Sequence, residues 1–221
     1  MQPFSSRFEA GQLLASKLSD YRNHPKALIL ALPRGGVPVG YEIAKEINLP
    51  LDVFLVRKLG VPGEDELAMG AIGSGGVRIL NRDVLRERRV SDAEIEAVTI
   101  REQKELERRE ALYRIGRSPL SLKNRALILV DDGIATGATM LAAAQAIRSQ
   151  NPSRIVVAVP VASTEAYDTL KGEVDQVVCQ IVTPALQAVG FWYENFTQLS
   201  DEEVAELLHR ALLIRKSTES M

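Results

Sequence analysis

The sequence predicts an α/β fold: a doubly wound, mostly parallel five-stranded sheet with helices on both faces. Three observations carry this. Short β-rich apolar runs recur at residues 27–32, 51–57, 126–131, 154–161 and 174–182. Segments of helical spacing separate most of them, as crossover connections between parallel strands require. The runs are too apolar for one-sided burial, so both sheet faces must be covered. With 221 residues, 46% of them hydrophobic and 25% charged, the chain has the composition of an ordinary folded protein and is read as a single domain over 1–221.

The elements follow in chain order. Residues 7–23 carry amphipathic helical spacing, and the first strand leads into Leu32-Pro33-Arg34-Gly35-Gly36. A helix over 39–48 returns the chain to the second strand, 51–57. The alternation then breaks. Gly60, Pro62, Gly63, Gly70, Gly73, Gly75 and Gly76 crowd the next stretch, and the alternating residues on either side of Gly73-Ser74-Gly75-Gly76 read as a β-hairpin, part of a flexible excursion over about 58–80. Ser91-Asp92-Ala93-Glu94 has capping-box spacing and opens a long helix to about Tyr113, with Ile95, Val98, Leu106 and Tyr113 on one stripe. Helices over 137–150 and 163–171 follow the third and fourth strands. An amphipathic C-terminal helix over 201–216 is expected to fray beyond Lys216.

Composition also excludes function classes. The 27 Lys and Arg against 29 Asp and Glu give a net charge of -2, without the basic footprint of a nucleic-acid binder. The basic residues of 78–125 interleave with acids at helical spacing and read as a solvated, ion-paired helix. Cys179 is the single cysteine; it can build neither a disulfide nor a cysteine metal cluster and reads as inert. His24 and His209 have no partners at ligand or triad spacing. No apolar run nears the roughly 18 residues of a membrane helix, and Met1-Gln2-Pro3 opens no signal segment, so a cytoplasmic location away from membranes is expected.

The chemistry concentrates in 127–140, Leu-Ile-Leu-Val-Asp-Asp-Gly-Ile-Ala-Thr-Gly-Ala-Thr-Met. An apolar strand delivers Asp131 and Asp132 at its carboxyl end, a turn of small and hydroxyl residues follows, and a helix begins near Gly137. Such a turn aims backbone N–H groups inward, the helix N-terminus adds positive partial charge, and the Thr136 and Thr139 hydroxyls can join them around a phosphate. Two acids beside an anion site make sense when the ligand also carries hydroxyls or a magnesium ion, as a sugar phosphate does. Neither a Gly-Lys-Ser/Thr loop nor a dinucleotide fingerprint is present.

Residues 130–139 resemble the phosphoribosyl pyrophosphate (PRPP) signature of the type I phosphoribosyltransferases. The resemblance implies that Asp131 and Asp132 hold the ribose hydroxyls and that Ala135, Thr136, Gly137, Ala138 and Thr139 hold the 5-phosphate. It also makes Arg34, Gly35 and Gly36 similar to the family's pyrophosphate loop; there Arg34 offers a planar donor, and the glycines allow close approach and positive φ. With strand order 2-1-3-4-5 both loops face one crevice. Further similarity over 54–72 and 189–193, together with the long helix, is to bacterial phosphoribosyltransferases without an assigned acceptor.

The resemblance implies a magnesium-dependent transferase that moves the phosphoribosyl group of PRPP to an acceptor, a nucleobase in expectation. Magnesium would arrive with PRPP, near Asp131 and Asp132, with no separate protein metal site. Arg57 and Lys58, entering the glycine-rich excursion, are expected to close over the pyrophosphate as catalytic cations. A hood from about 1–23 and 183–215 would cover the acceptor, with Phe191 and Trp192 stacking on the base and Tyr193 and Phe196 in the same aromatic cluster. The rival reading is a PRPP-sensing regulator that binds RNA or DNA. A homo-oligomer is compatible with the sequence.

Overall fold

The computed structural model describes residues 3–117 and 120–219, with side chains for all of these except 66 and 215–219. Strands β1 (Ala27–Ala31), β2 (Leu51–Val53), β6 (Ala126–Val130), β7 (Arg154–Ser163) and β8 (Gln176–Thr183) form one sheet. Its order is β2-β1-β6-β7-β8, parallel throughout. Residues Val56–Val61 (β3), Glu64–Gly73 (β4) and Val77–Leu80 (β5) form a separate antiparallel sheet.

Period-two geometry sorts the strand residues between two apolar layers. Ile29 and Ala31 of β1 join Ile128 and Val130 of β6 in a layer with Leu14, Val39 and Ile43. Those residues come from helices α1 (Arg7–Ser16) and α2 (Gly36–Ile47). Leu28, Leu30, Leu127 and Leu129 point the other way, to Met140, Ile147 and Leu170, carried by α5 (Ala138–Arg148) and α6 (Thr164–Glu173). The sheet is covered on both faces, as its apolar strands require.

The second strand is shorter than its apolar run. Phe54 N still donates to Ala31 O, but Ser74 captures Leu55, donating from its N to Leu55 O at 2.9 Å while its Oγ accepts from Leu55 N at 3.0 Å. This turns the chain, and 56–61 pairs with β4 instead of continuing along β1. The expected hairpin around 73–76 is present as β4 and β5; the β3 pairing adds a third strand. This excursion is docked by one face: Leu59, Met69 and Ile72 are buried in the same layer as Ile95, Val98 and Leu106. Those three belong to α4 (Asp92–Tyr113), whose capping box at Ser91 and Glu94 is formed.

Both terminal helices differ from expectation. α1 ends at Ser16, where the ladder tightens as Lys17 N donates to Leu14 O and Leu18 N to Ala15 O, and a separate turn over Ser19–Tyr21 buries Leu18 and Tyr21. The last helix, α7 (Asp201–Glu219), runs past Lys216; the remainder of the expected frayed end, Ser220 and Met221, lies outside the described residues, as do Met1 and Gln2 of the expected hood.

Edge strand β2 is covered by a buried ion cluster. Asp52 accepts from Arg114 at 3.1 Å and lies 3.6 Å from Arg117, which also donates to Leu51 O and Leu208 O. Asp52→Ala leaves two largely buried guanidinium groups without this carboxylate, which costs about 3 kcal/mol. At roughly 2–4 °C per kcal/mol for a chain of this size, thermal unfolding should show a loss of about 6–12 °C. A loss of under about 2 °C would mean the cluster is merely surface charge.

Candidate functional site

Two loops meet at the carboxyl end of the parallel sheet. The first, Leu32 to Gly35, links β1 to α2; the second, Asp131 to Gly137, links the neighbouring β6 to α5. They are pressed together. A Cβ on Gly35 would collide with the Asp132 carboxylate, and one on Gly36 would lie 2.5 Å from Val130 O and 2.9 Å from Asp131 Cα. The glycines are therefore required by close approach. Positive φ is not the reason, since Gly35 has φ -63 and Gly36 is absent from the residues with positive φ.

Helices α2 and α5 both begin at this crevice, and neither first turn has a side-chain cap. Elsewhere the chain caps its helices: Ser6, Asn81, Ser91 and Ser163 accept from the first turns of α1, α3 (Arg82–Arg88), α4 and α6. The first turn of α5 leaves donor groups and positive partial charge at the crevice, whereas in α2 Gly36 N donates to Leu32 O, Val37 N donates to Arg34 O and Pro38 has no N–H, so α2 contributes chiefly the positive end of its dipole. Ile134 fixes the second loop by pairing with the end of β7, donating to Val161 O and accepting from Ser163 N. Gly137, at φ +79, then starts α5. Ala135, Thr136, Ala138 and Thr139 are exposed.

The carboxylates differ in their surroundings. Burial and the neighbouring Asp132 push the Asp131 carboxyl well above the usual range, and its Oδ1 accepts from Asp132 N at 2.8 Å. Burial also raises Asp132, opposed by Arg7, whose Nε donates to Asp132 Oδ2 at 2.7 Å. Tyr193 donates its hydroxyl to Asp132 O at 2.5 Å.

Of the other predicted residues, Arg34 is half-buried and 3.9 Å from Asp201 Oδ1, which also accepts from the Tyr113 hydroxyl at 2.5 Å. Burial and Asp201 push that tyrosine up to about 12. Arg57 pairs with Glu102 on α4 through Nε and a terminal nitrogen, so its charge is matched within the scaffold, and any role at the leaving group requires it to change partner. Lys58 is exposed on β3. Phe191 is 71% exposed and with Trp192, Pro3, Ala185 and Gln187 lines a cavity of 280 Å³. Tyr193 and Phe196 are not available in the same way: Tyr193 is buried against Phe4 and Phe196, and Phe196 carries the Arg7 guanidinium 3.8 Å from its ring centre. A larger cavity of 850 Å³ lies between α5 and strands β4 and β5, and shares Ala138 with the loop.

Sequence reasoning missed Arg7, Tyr113 and Asp201, and placed Tyr193 only among the stacking rings. Of these, Arg7 alone leaves a local signal: a cation at the first residue of a capped helix opposes the helix dipole, which implies a carboxylate supplied from elsewhere. Cys179 is raised to about 11 by burial, as expected of an inert thiol. Among the basic residues of 78–125, Arg78, Arg88, Arg101, Arg108 and Arg109 form ion pairs with acids. No helix among the described residues is long and apolar enough to cross a membrane.

The sequence model of the phosphoribosyl transferase domain matches residues 6–194. Two proteins of Mycobacterium tuberculosis, from strains CDC 1551 / Oshkosh and H37Rv and named as candidate phosphoribosyl transferases, are each 47% identical over 212 residues. The match covers 96% of this chain and 47% of theirs, so the chain spans about half their length. The crystal structure of TT1426 from Thermus thermophilus is 41% identical and superposes with a TM-score of 0.84, covering 95% of this chain and 99% of that one.

Proposed function

Because the chain belongs to the phosphoribosyl transferase family, we propose that it moves the 5-phosphoribosyl group of PRPP to a nitrogen heterocycle, a nucleobase by preference, and releases pyrophosphate. The observation that carries this reading is the single crevice where the loops before α2 and α5 press together, with Asp131 and Asp132 between them and the first turn of α5 without a side-chain cap. Residues Ala135 to Thr139 would hold the 5-phosphate and Asp131 and Asp132 the ribose hydroxyls. Arg34 and the Gly35-Gly36 backbone would hold the pyrophosphate.

The acceptor nitrogen forms its bond to C1 as the C1–O bond to pyrophosphate breaks, and the electron pair departs on pyrophosphate. The acceptor's N–H proton leaves to solvent or to the departing phosphate. Charge develops on the sugar ring and on the leaving group, so positioning and electrostatics suffice and no protein nucleophile is needed.

No cluster of three His, Cys, Asp or Glu side chains that could hold a metal is found among the described residues. Two carboxylates beside a phosphate crevice fit magnesium that enters with the substrate's pyrophosphate. Bound there, it would supply neutralisation of the leaving group. Lys58, and Arg57 if it leaves Glu102, would add positive charge from β3, and Phe191 and Trp192 offer stacking surface for a base. No observation favours an RNA- or DNA-binding regulator: Arg78, Arg101, Arg108 and Arg109 pair with acids of α4, and Arg88 with Glu64.

Calorimetry with PRPP and magnesium, followed by pyrophosphate release across a panel of nucleobases, tests the reading. Saturation at a hundredfold excess over Kd should stabilise the chain by about 2.7 kcal/mol. In the same turnover assay Lys58→Ala should lower kcat more than tenfold with less change in PRPP affinity. Absence of binding by PRPP, ribose 5-phosphate and pyrophosphate alike would remove the assignment.

A further inference from the structure

Arg7 is the most thoroughly engaged side chain at the site, and the proposed reaction gives it no part. It lies at the first residue of α1, 125 residues before Asp132 in sequence, and donates Nε to Asp132 Oδ2 at 2.7 Å. A terminal nitrogen donates to Thr197 O at 3.0 Å, and the guanidinium lies 3.8 Å from the centre of the Phe196 ring and 5.9 Å from that of Tyr193. Tyr193 in turn donates to the backbone oxygen of Asp132. One buried cation thus joins the N-terminal helix, the acid assigned to the ribose and the aromatic segment beyond the 3-10 turn Val189–Trp192.

The chain continues from that segment to both ends of the hood. Phe4 N donates to Trp192 O, and Glu194 N donates to Phe4 O, both at 2.8 Å. Val189 closes over the loop at Gly133, where an added Cβ would meet its Cγ1 at 2.6 Å. Arg7 and Tyr193 thus form a continuous line of contacts from Asp132 to the residues next to Phe191 and Trp192.

We propose that Arg7 is a positioning residue of the ribose site, which fixes the Asp132 carboxylate for the ribose hydroxyls and couples its occupancy to the arrangement of the aromatic segment 193–197. This rests on the phosphoribosyl reading above. Arg7 touches neither phosphate loop directly by any described contact other than that with Asp132, so its effect should be selective for ligands that carry the sugar. A guanidinium that merely held the fold together would affect all ligands alike.

Trp192, the single tryptophan, adjoins this segment and supplies a fluorescence signal. Wild-type protein with magnesium should change its emission on binding PRPP and much less on binding inorganic pyrophosphate. Arg7→Gln should bind PRPP more than tenfold more weakly, keep pyrophosphate affinity within about twofold, and show little emission change even at saturation. Arg7→Lys keeps a cation beside Asp132 but cannot lie flat on Phe196; it should regain PRPP affinity to within about fivefold while its emission response stays small. In an Asp132→Asn background, Arg7→Gln should weaken PRPP no further, because the two side chains act as one unit.

Equal weakening of PRPP and pyrophosphate by Arg7→Gln, no rescue by lysine, or full additivity with Asp132→Asn would overturn the assignment of Arg7. Should Arg7→Gln fail to fold, the lysine variant decides: a wild-type emission response in it overturns the coupling. Wild-type protein that binds pyrophosphate but not PRPP would instead overturn the phosphoribosyl reading itself.

Discussion

Asp131→Asn should bind PRPP at least tenfold more weakly than the wild-type chain and yet melt at a higher temperature at pH 7.5. The loss follows from replacing a carboxylate that accepts from ribose hydroxyls, where charge-assisted hydrogen bonds contribute about 1.5–3 kcal/mol. The gain follows from electrostatics. Burial and Asp132 raise the Asp131 carboxyl above its ordinary value, so the unfolded chain releases this proton at lower pH than the folded one. Stability is then lost as pH rises from the ordinary carboxylate range through the raised value, and removing the charge recovers it at neutral pH. Asp132→Asn should also lose PRPP, and because burial raises this carboxyl too while Arg7 opposes the shift, its gain in melting temperature should be smaller than that of Asp131→Asn. Calorimetry and thermal unfolding on the two variants check both. Pyrophosphate affinity should fall less than PRPP affinity in each, and equal losses for the two ligands would remove the ribose role from both acids.

Gly36→Ala should abolish binding of PRPP and pyrophosphate together. The added methyl would meet Val130 O at 2.5 Å and Asp131 Cα at 2.9 Å, both backbone atoms with no rotamer to yield. The loops must separate, and the α2 N-terminus moves away from the α5 N-terminus. Overpacking of this kind costs about 1–3 kcal/mol, and turnover should fall more than a hundredfold because both anion subsites depend on that approach. Gly172→Ala, on α6 with open space at the added Cβ, is the matched control and should be neutral or stabilise by up to about 1 kcal/mol. An active, fully stable Gly36→Ala protein would show that the site does not depend on the close approach of the two loops.

Sequence alone determined the five parallel strands, the helices between them, the Ser91 cap and the acid pair in its small-residue loop. Each of these is written in neighbouring residues: an apolar run, a spacing of three or four, a cap followed by its glutamate, a strand that ends in two acids. Right-handed crossovers allow more than one strand order, so the shared crevice after β1 and β6 was legible only on condition of the order 2-1-3-4-5, which the sheet pairing supplies.

Tertiary structure decided what lies between distant segments. Ser74 captures Leu55 and ends β2 at Val53; the apolar run itself gives no sign of it. Glu102 claims Arg57 from 45 residues away, which is unreadable because both residues also fit an exposed, solvated helix and strand end. The glycines of the first loop are explained by Asp132 and Val130 pressing on them, a contact no local pattern encodes. Arg7 reaches Asp132 across 125 residues and binds the two chain ends to the site. Periodicity and loop composition report on interactions within a few residues, whereas these pairings exist only where the folded core holds distant surfaces in contact.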